Sequence, residues 1–155
     1  MAPAPAPWTP WLAELVDGTP DVSGLRCTRL VHDDGRPYLD RYHLVDTEAV
    51  SVRLHHWRSG DDQRAPHDHP WPNMTAVVVG ELLEHTASGD LALEPGAIVT
   101  RPAAEAHTID LVTDDAWTLF VTGHIERRWG FYTSSGWVHW SEWPYAGRVL
   151  DAAAR

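Results

Sequence analysis

At 155 residues the chain is one domain, long enough to bury an ordinary core. Its 12 basic and 22 acidic side chains give a net charge of −10, and every basic one is Arg; this argues against a nucleic-acid or anionic-membrane surface and excludes Schiff-base chemistry, a P-loop and a lysine base. The single Cys27 makes neither an internal disulfide nor a cysteine-based zinc or redox motif.

The first residues, Ala2 to Pro7, alternate Ala and Pro and read as a polyproline-like arm. Thr9-Pro10-Trp11 then has the form of a helix start, with Thr at the cap and Pro in the first turn. Trp11, Leu12, Leu15 and Val16 give that short helix an apolar face, and Asp17-Gly18 ends it. Residues 1–20 are therefore taken as arm and helix, and 21–155 as the main domain. No basic segment followed by an apolar run is visible, and no stretch reaches the ~18 apolar residues of a membrane span. The expectation is a cytoplasmic protein.

After Gly24 the pattern becomes short β-prone runs divided by Gly, Pro and Asp turns. Strands are expected over 25–31, 38–45, 49–57, 76–85, 91–93, 98–100, 107–111, 117–122, 128–133 and 137–140. Turns fall at Asp33-Asp34-Gly35, Ser59-Gly60-Asp61, Ser88-Gly89-Asp90, Pro95-Gly96, Thr113-Asp114-Asp115 and Ser134-Ser135-Gly136. A last helical turn is expected near 149–154. Many short strands in a chain of this size predict a sandwich or small barrel.

The sharpest chemical signal is His67-Asp68-His69-Pro70-Trp71-Pro72, with His107 following in Arg101-Pro102-Ala103-Ala104-Glu105-Ala106-His107. In extended chain, residues i and i+2 share a face, so His67 and His69 aim at one point while Asp68 faces away. Imidazole is the commonest transition-metal ligand, and a third histidine from another strand completes one face of a coordination sphere. The other face stays open, as in a reactive rather than a structural site. Asp68 either accepts a hydrogen bond from a ligand imidazole or caps the loop.

These spacings resemble the cupin superfamily. His67-x-His69, then three residues, Asn73, six residues and Gly80 match its first motif. Pro95-Gly96, a short strand, Pro102 and His107 match its second. Asn73 stands where many cupins carry a liganding Glu, so the resemblance implies three histidine ligands, or a fourth from elsewhere. A narrower resemblance, to small stand-alone bacterial cupins with the His-Asp-His-Pro-Trp motif, runs through Leu54-His55-His56-Trp57, Asp61, Trp129-Gly130-Phe131-Tyr132-Thr133 and Gly136-Trp137-Val138. Members of that group often have His at the position of Tyr132. The implied fold is an all-β cupin jelly-roll, a double-stranded β-helix barrel, preceded by the short helix.

Candidate residues around the metal are fewer. Strand alternation puts Val50, Val52, Leu54 and His56 on one face, and Ser51, Arg53, His55 and Trp57 on the other. The apolar set is expected to pack inward or against the other layer. The resemblance favours His55 as a fourth ligand or base; a surface imidazole is the alternative. Arg53 is the candidate for holding a carboxylate, against an outward ion pair. Tyr132 is the candidate acid or positioning group within an aromatic block that otherwise reads as core, lid or dimer surface. Glu84, His85, His124 and His139 belong to no constellation.

The expected protein binds one divalent transition metal through His67, His69 and His107, with Fe(II) preferred and Zn, Ni, Mn or Cu possible. Fe(II)/O2 oxygenation of a small, polar, carboxylate-bearing molecule leads, since an open face takes substrate and O2 together. A non-oxidative isomerase or lyase and a non-catalytic metabolite-binding module are the alternatives. Nine Trp in one small domain point to a homodimer.

Overall fold

A computed structural model describes residues 20–151; the expected N-terminal helix lies outside them. Twelve strands follow in order: β1 Cys27–Val31, β2 Pro37–Asp46, β3 Ser51–Trp57, β4 Asn73–Val79, β5 Leu82–Thr86, β6 Gly89–Leu93, β7 Ile98–Arg101, β8 His107–Leu111, β9 Ala116–Thr122, β10 Gly130–Thr133, β11 Gly136–His139 and β12 Arg148–Asp151. A single 3-10 turn covers Trp140–Glu142. No helix among the described residues is long and apolar enough to cross a membrane.

The larger sheet has the order β12-β1-β2-β3-β9-β4-β7, and a smaller one runs β6-β5-β8. Every pairing is antiparallel. The hairpin β10-β11 extends the smaller sheet through His67, which bridges to both His107 and Phe131. The core between the layers is Leu39, Trp57, Val77, Leu82, Leu93, Ile109 and Ala116. Burial of these apolar surfaces drives the two sheets together, at roughly 25 cal/mol per Å².

Three expectations are corrected. The single strand over 76–85 is two, β4 and β5, broken at Gly80 with φ +77. A Cβ there would stand 2.3 Å from the Asp115 carbonyl oxygen, so only glycine lets the chain cross this closely. The expected C-terminal helical turn is strand instead, at least to Asp151, because β12 completes the edge of β1. The third concerns β3. Its polar set faces the interior, with Ser51, His55 and Trp57 buried, while Val52, Leu54 and His56 are only half-buried. On the outer face His56 stacks on Trp117 with rings 4.1 Å apart, and Tyr42 stacks there too.

Candidate metal centre

His67 and His69 sit on an extended segment held by its neighbours. His67 and His107 exchange both backbone hydrogen bonds at 3.0 Å. The Asp68 N–H donates to the Gly130 carbonyl at 3.1 Å, and the His69 N–H to the Ala103 carbonyl at 3.0 Å. The proline-bounded stretch is thus fixed by partners on both sides rather than by a regular ladder of its own. Alternation then sends His67 and His69 to one side and Asp68 to the other.

The three imidazoles converge. Each pair of rings among His67, His69 and His107 has centroids 5.0 Å apart. One ligand-capable atom from each lies within 4.8 Å of the others. Among the described residues, His69 Nδ1 is buried without a hydrogen-bond partner. A buried polar nitrogen left unpaired is costly, and a bound metal ion would relieve that cost. The donor set therefore fits a transition ion. Burial is the main cause that pulls His67 down to about 4 and His69 well below the usual imidazole value, so both are neutral and ready to donate a lone pair.

Behind His107 lies a group that its sequence context did not mark. Glu84 Oε1 accepts from His107 Nδ1 at 2.5 Å. Its carboxylate also takes two bonds from Arg101, at 2.5 and 2.8 Å, and Arg101 goes on to Asn73 Oδ1 and Thr75 Oγ1. Burial alone would raise the Glu84 carboxyl, but the bonds from His107 and Arg101 outweigh it and hold it at about 2. An ionised Glu84 makes Nδ1 the protonated nitrogen of His107 and turns Nε2 toward the other two rings, the usual outer support of a metal-bound histidine. This network also explains Asn73. The one cation there, Arg101, already has Glu84 as its counter-ion, and a neutral amide satisfies it without a second buried carboxylate.

Asp68 serves the other side. Fully buried, it accepts from the Gly130 N–H at 2.7 Å, from Arg127, from Trp137 Nε1 at 3.2 Å and from the Tyr132 hydroxyl at 3.2 Å. It fastens the β10-β11 hairpin to the histidine segment. Tyr132 is thereby kept off the wall of the histidine cavity, and the residue is 40% exposed. Alternation along β10 puts its neighbour Phe131 on the inside instead, 5.9 Å from the His67 ring. A positioning role for Tyr132 at the metal is not what this geometry shows.

The histidines open into a cavity of about 340 Å³, whose walls include Trp57, Trp71, Phe120, Trp129, Phe131 and Trp140. A shallower depression of about 520 Å³ beside Asp33, Arg36 and Arg64 contains none of the three imidazoles. His55 lines the histidine cavity, stacked on Phe120 at 4.6 Å, and its Nε2 is buried with no partner among the described residues. Burial first, then the charges of Arg41 and Arg53, push His55 well below the usual imidazole value. Arg53 is not on the cavity wall; it reaches Asp46 and Ser51, each at 3.4 Å. The wall cation is Arg41, directly opposite His55 in the β2-β3 register. Its alternation with Leu39 along β2 was the available sequence signal.

No protein-family profile and no curated protein matches the sequence. Solved structures do match. A sugar phosphate isomerase of the cupin superfamily from Silicibacter pomeroyi superposes with a TM-score of 0.54 at 18% identity, over 76% of this chain and 88% of that one. The FeII HppE structure gives 0.50 at 17% identity, over 61% of this chain and 56% of that one, so this chain spans little more than half of it. A DMSP lyase structure is 28% identical over 55% of this chain, with a TM-score of 0.48, and this chain spans 47% of its length. The chain has the cupin fold, and the two histidine motifs occupy its interior.

Proposed function

We propose that this protein is a metal-dependent cupin enzyme acting on a small, polar, carboxylate-bearing molecule. One observation carries the reading: three imidazoles converge at a cavity whose remaining walls are largely aromatic. His67, His69 and His107 would hold one divalent transition ion, with Fe(II) as the first choice and Zn, Ni, Mn or Cu as rivals. When bound, such an ion supplies Lewis acidity and, as iron, a seat for dioxygen. The chain supplies the surroundings. Glu84 fixes the orientation and tautomer of His107, the aromatic walls displace water, and the buried Asp68 holds the hairpin that carries Phe131.

Fe(II)/O2 oxygenation is the preferred reaction. Support comes from the donor set: three histidines, with Asn73 turned toward Arg101 rather than toward them, would leave part of an ion's coordination sphere to incoming ligands. One observation favours the non-oxidative isomerase or lyase instead. His55 is a neutral base on the same cavity, with a free ring nitrogen. The cupin fold accommodates both: its solved examples include a sugar phosphate isomerase and an iron(II) protein.

Elemental analysis of protein purified without added metal, combined with oxygen uptake over a panel of small carboxylates, separates these readings. About one iron per chain and substrate-dependent uptake support oxygenation; zinc with turnover under nitrogen supports the isomerase or lyase. Binding without turnover supports a metabolite-binding module. Ala at His67, His69 or His107 should remove most of the metal from a folded barrel. Full occupancy in all three variants rejects the metal centre.

A further inference from the structure

We infer that Arg41 is the seat for the carboxylate of a monoanionic ligand with an apolar body. The inference rests on reading the cavity as a substrate site and narrows that reading: the polar part of the substrate is its one carboxylate, held by Arg41, on an otherwise apolar body.

Arg41 projects from β2 into the histidine cavity, facing His55 across the strand pair. Its Nε is buried and has no hydrogen-bond partner among the described residues. Burial draws the guanidinium down to about 10, opposed by the Tyr38 hydroxyl and aided by the charge of Arg53. Arg41 is half-buried, and a cation drawn out of water with no counter-ion is costly. Other cations of this chain have carboxylates from within: Arg101 has Glu84, Arg127 has Asp68, and Arg53 has Asp46 at 3.4 Å, although the Arg53 Nε is also unpartnered among the described residues. Two acids line the same cavity: Asp61, whose carboxylate is engaged by the Tyr38 hydroxyl and by the Ile109 N–H at 2.8 Å, and Asp62, which is paired with Arg64 at 3.0 Å. Asp61 also lies 3.9 Å from His67 Nδ1. Arg41 is thus left facing a cavity with its fork available, and that fork matches a planar carboxylate.

The rest of the ligand follows from the walls. One available guanidinium calls for one negative group. His55, held neutral beside Arg41, adds a hydrogen-bonding nitrogen without a second charge. Around them stand Trp57, Trp71 and Phe120, which favour a flat or aliphatic body over a polyhydroxylated one. The volume of about 340 Å³ sits at the small end of ligand pockets and limits the molecule to metabolite size.

The test uses the full chain, stripped of metal with a chelator and titrated with benzoate, benzamide and inorganic phosphate, followed by tryptophan fluorescence and calorimetry. Expected are saturable benzoate binding, and benzamide and phosphate weaker by at least about tenfold, the loss of one charge-assisted pair. Arg41→Gln and Arg41→Met should each lose benzoate by a similar factor, while Arg53→Gln stays within about twofold. Both Arg41 variants should melt at or above the wild-type temperature without ligand, since an unpaired, half-buried charge has gone, and benzoate should raise the melting temperature of wild type only. The inference is overturned if benzoate does not saturate the wild type, if benzamide or phosphate binds as well, or if the Arg41 variants bind benzoate like wild type. Because the titration is done without metal, a failure of the metal centre leaves this result standing, and the reverse also holds.

Discussion

Glu84 and Arg101 form an ion pair with both side chains almost fully buried. Removing one partner of a buried ion pair leaves the other charge uncompensated, which costs about 3–5 kcal/mol. Glu84→Gln keeps the shape but strands the Arg101 charge and no longer holds His107 by a charge-assisted bond. The expected result is a melting temperature well below wild type and, in the fraction that folds, about 10–100-fold weaker metal affinity, measured by competition with a chelator. An unchanged metal affinity would mean that Glu84 only supports the fold. The sequence could not show this pairing. Glu84 and His107 are 23 positions apart and meet because β5 pairs with β8. The His-x-His pair, by contrast, was legible because its geometry is local: two residues on one face of an extended segment.

At the scale of elements, turns were easier to read than faces. Gly, Pro and Asp punctuation located nearly every strand to within a few residues, because those residue types act on the local backbone. Gly80 shows where local reading stopped. Within 76–85 it sits among apolar residues that look like one strand, and only the approach of the Asp115 carbonyl shows that the chain must break there. Gly80→Ala is expected to destabilise the barrel by at least about 1–2 kcal/mol, the cost of a side chain at positive φ, with the backbone clash adding to it. Denaturant unfolding measures this, and a variant within 0.5 kcal/mol of wild type, the range of an ordinary surface change, would show that the crossing is loose. The facing of β3 failed for a different reason. The outer face of β3 is half-buried under neighbouring aromatic rings, so its apolar stripe does not mark the interior. Here Val52 and Leu54 lie on the outer face with the His56–Trp117–Tyr42 stack, while the interior takes polar residues because a ligand site needs them. Asp68 has the same lesson for β10: by taking the Tyr132 hydroxyl and the Trp137 N–H, it turns one side of the hairpin outward and gives Phe131 to the cavity.

For the whole molecule, the density of aromatics has a local use. Trp57, Trp71, Trp129 and Trp140, four of the nine tryptophans behind the expectation of a homodimer, line the cavity. The interior they enclose holds several buried imidazoles, and these set the response of the metal-free protein to acid. His67 is pulled to about 4 by burial, and His55 and His69 lie well below their ordinary value for the same first cause. In the unfolded chain these rings take up protons near 6.5. Between that value and about 4 the unfolded state therefore binds more protons than the folded one, and stability falls as pH falls. The contribution is fully present above pH 6.5. For His67 alone the loss down to pH 4 is on the order of 3 kcal/mol. Glu84 adds a second, more acidic phase: its carboxyl at about 2 gives stability that is present above the ordinary carboxylate range and is lost as pH drops toward 2. Chelator-treated protein is expected to lose most of its unfolding free energy between pH 6.5 and 4, measured by denaturant titration at each pH. His55→Phe, which removes one of the buried bases and keeps a ring against Phe120, should make that slope shallower. A metal-free stability flat from pH 7 to 4.5 would contradict the burial of these imidazoles, and with it the enclosed site on which the proposed chemistry depends.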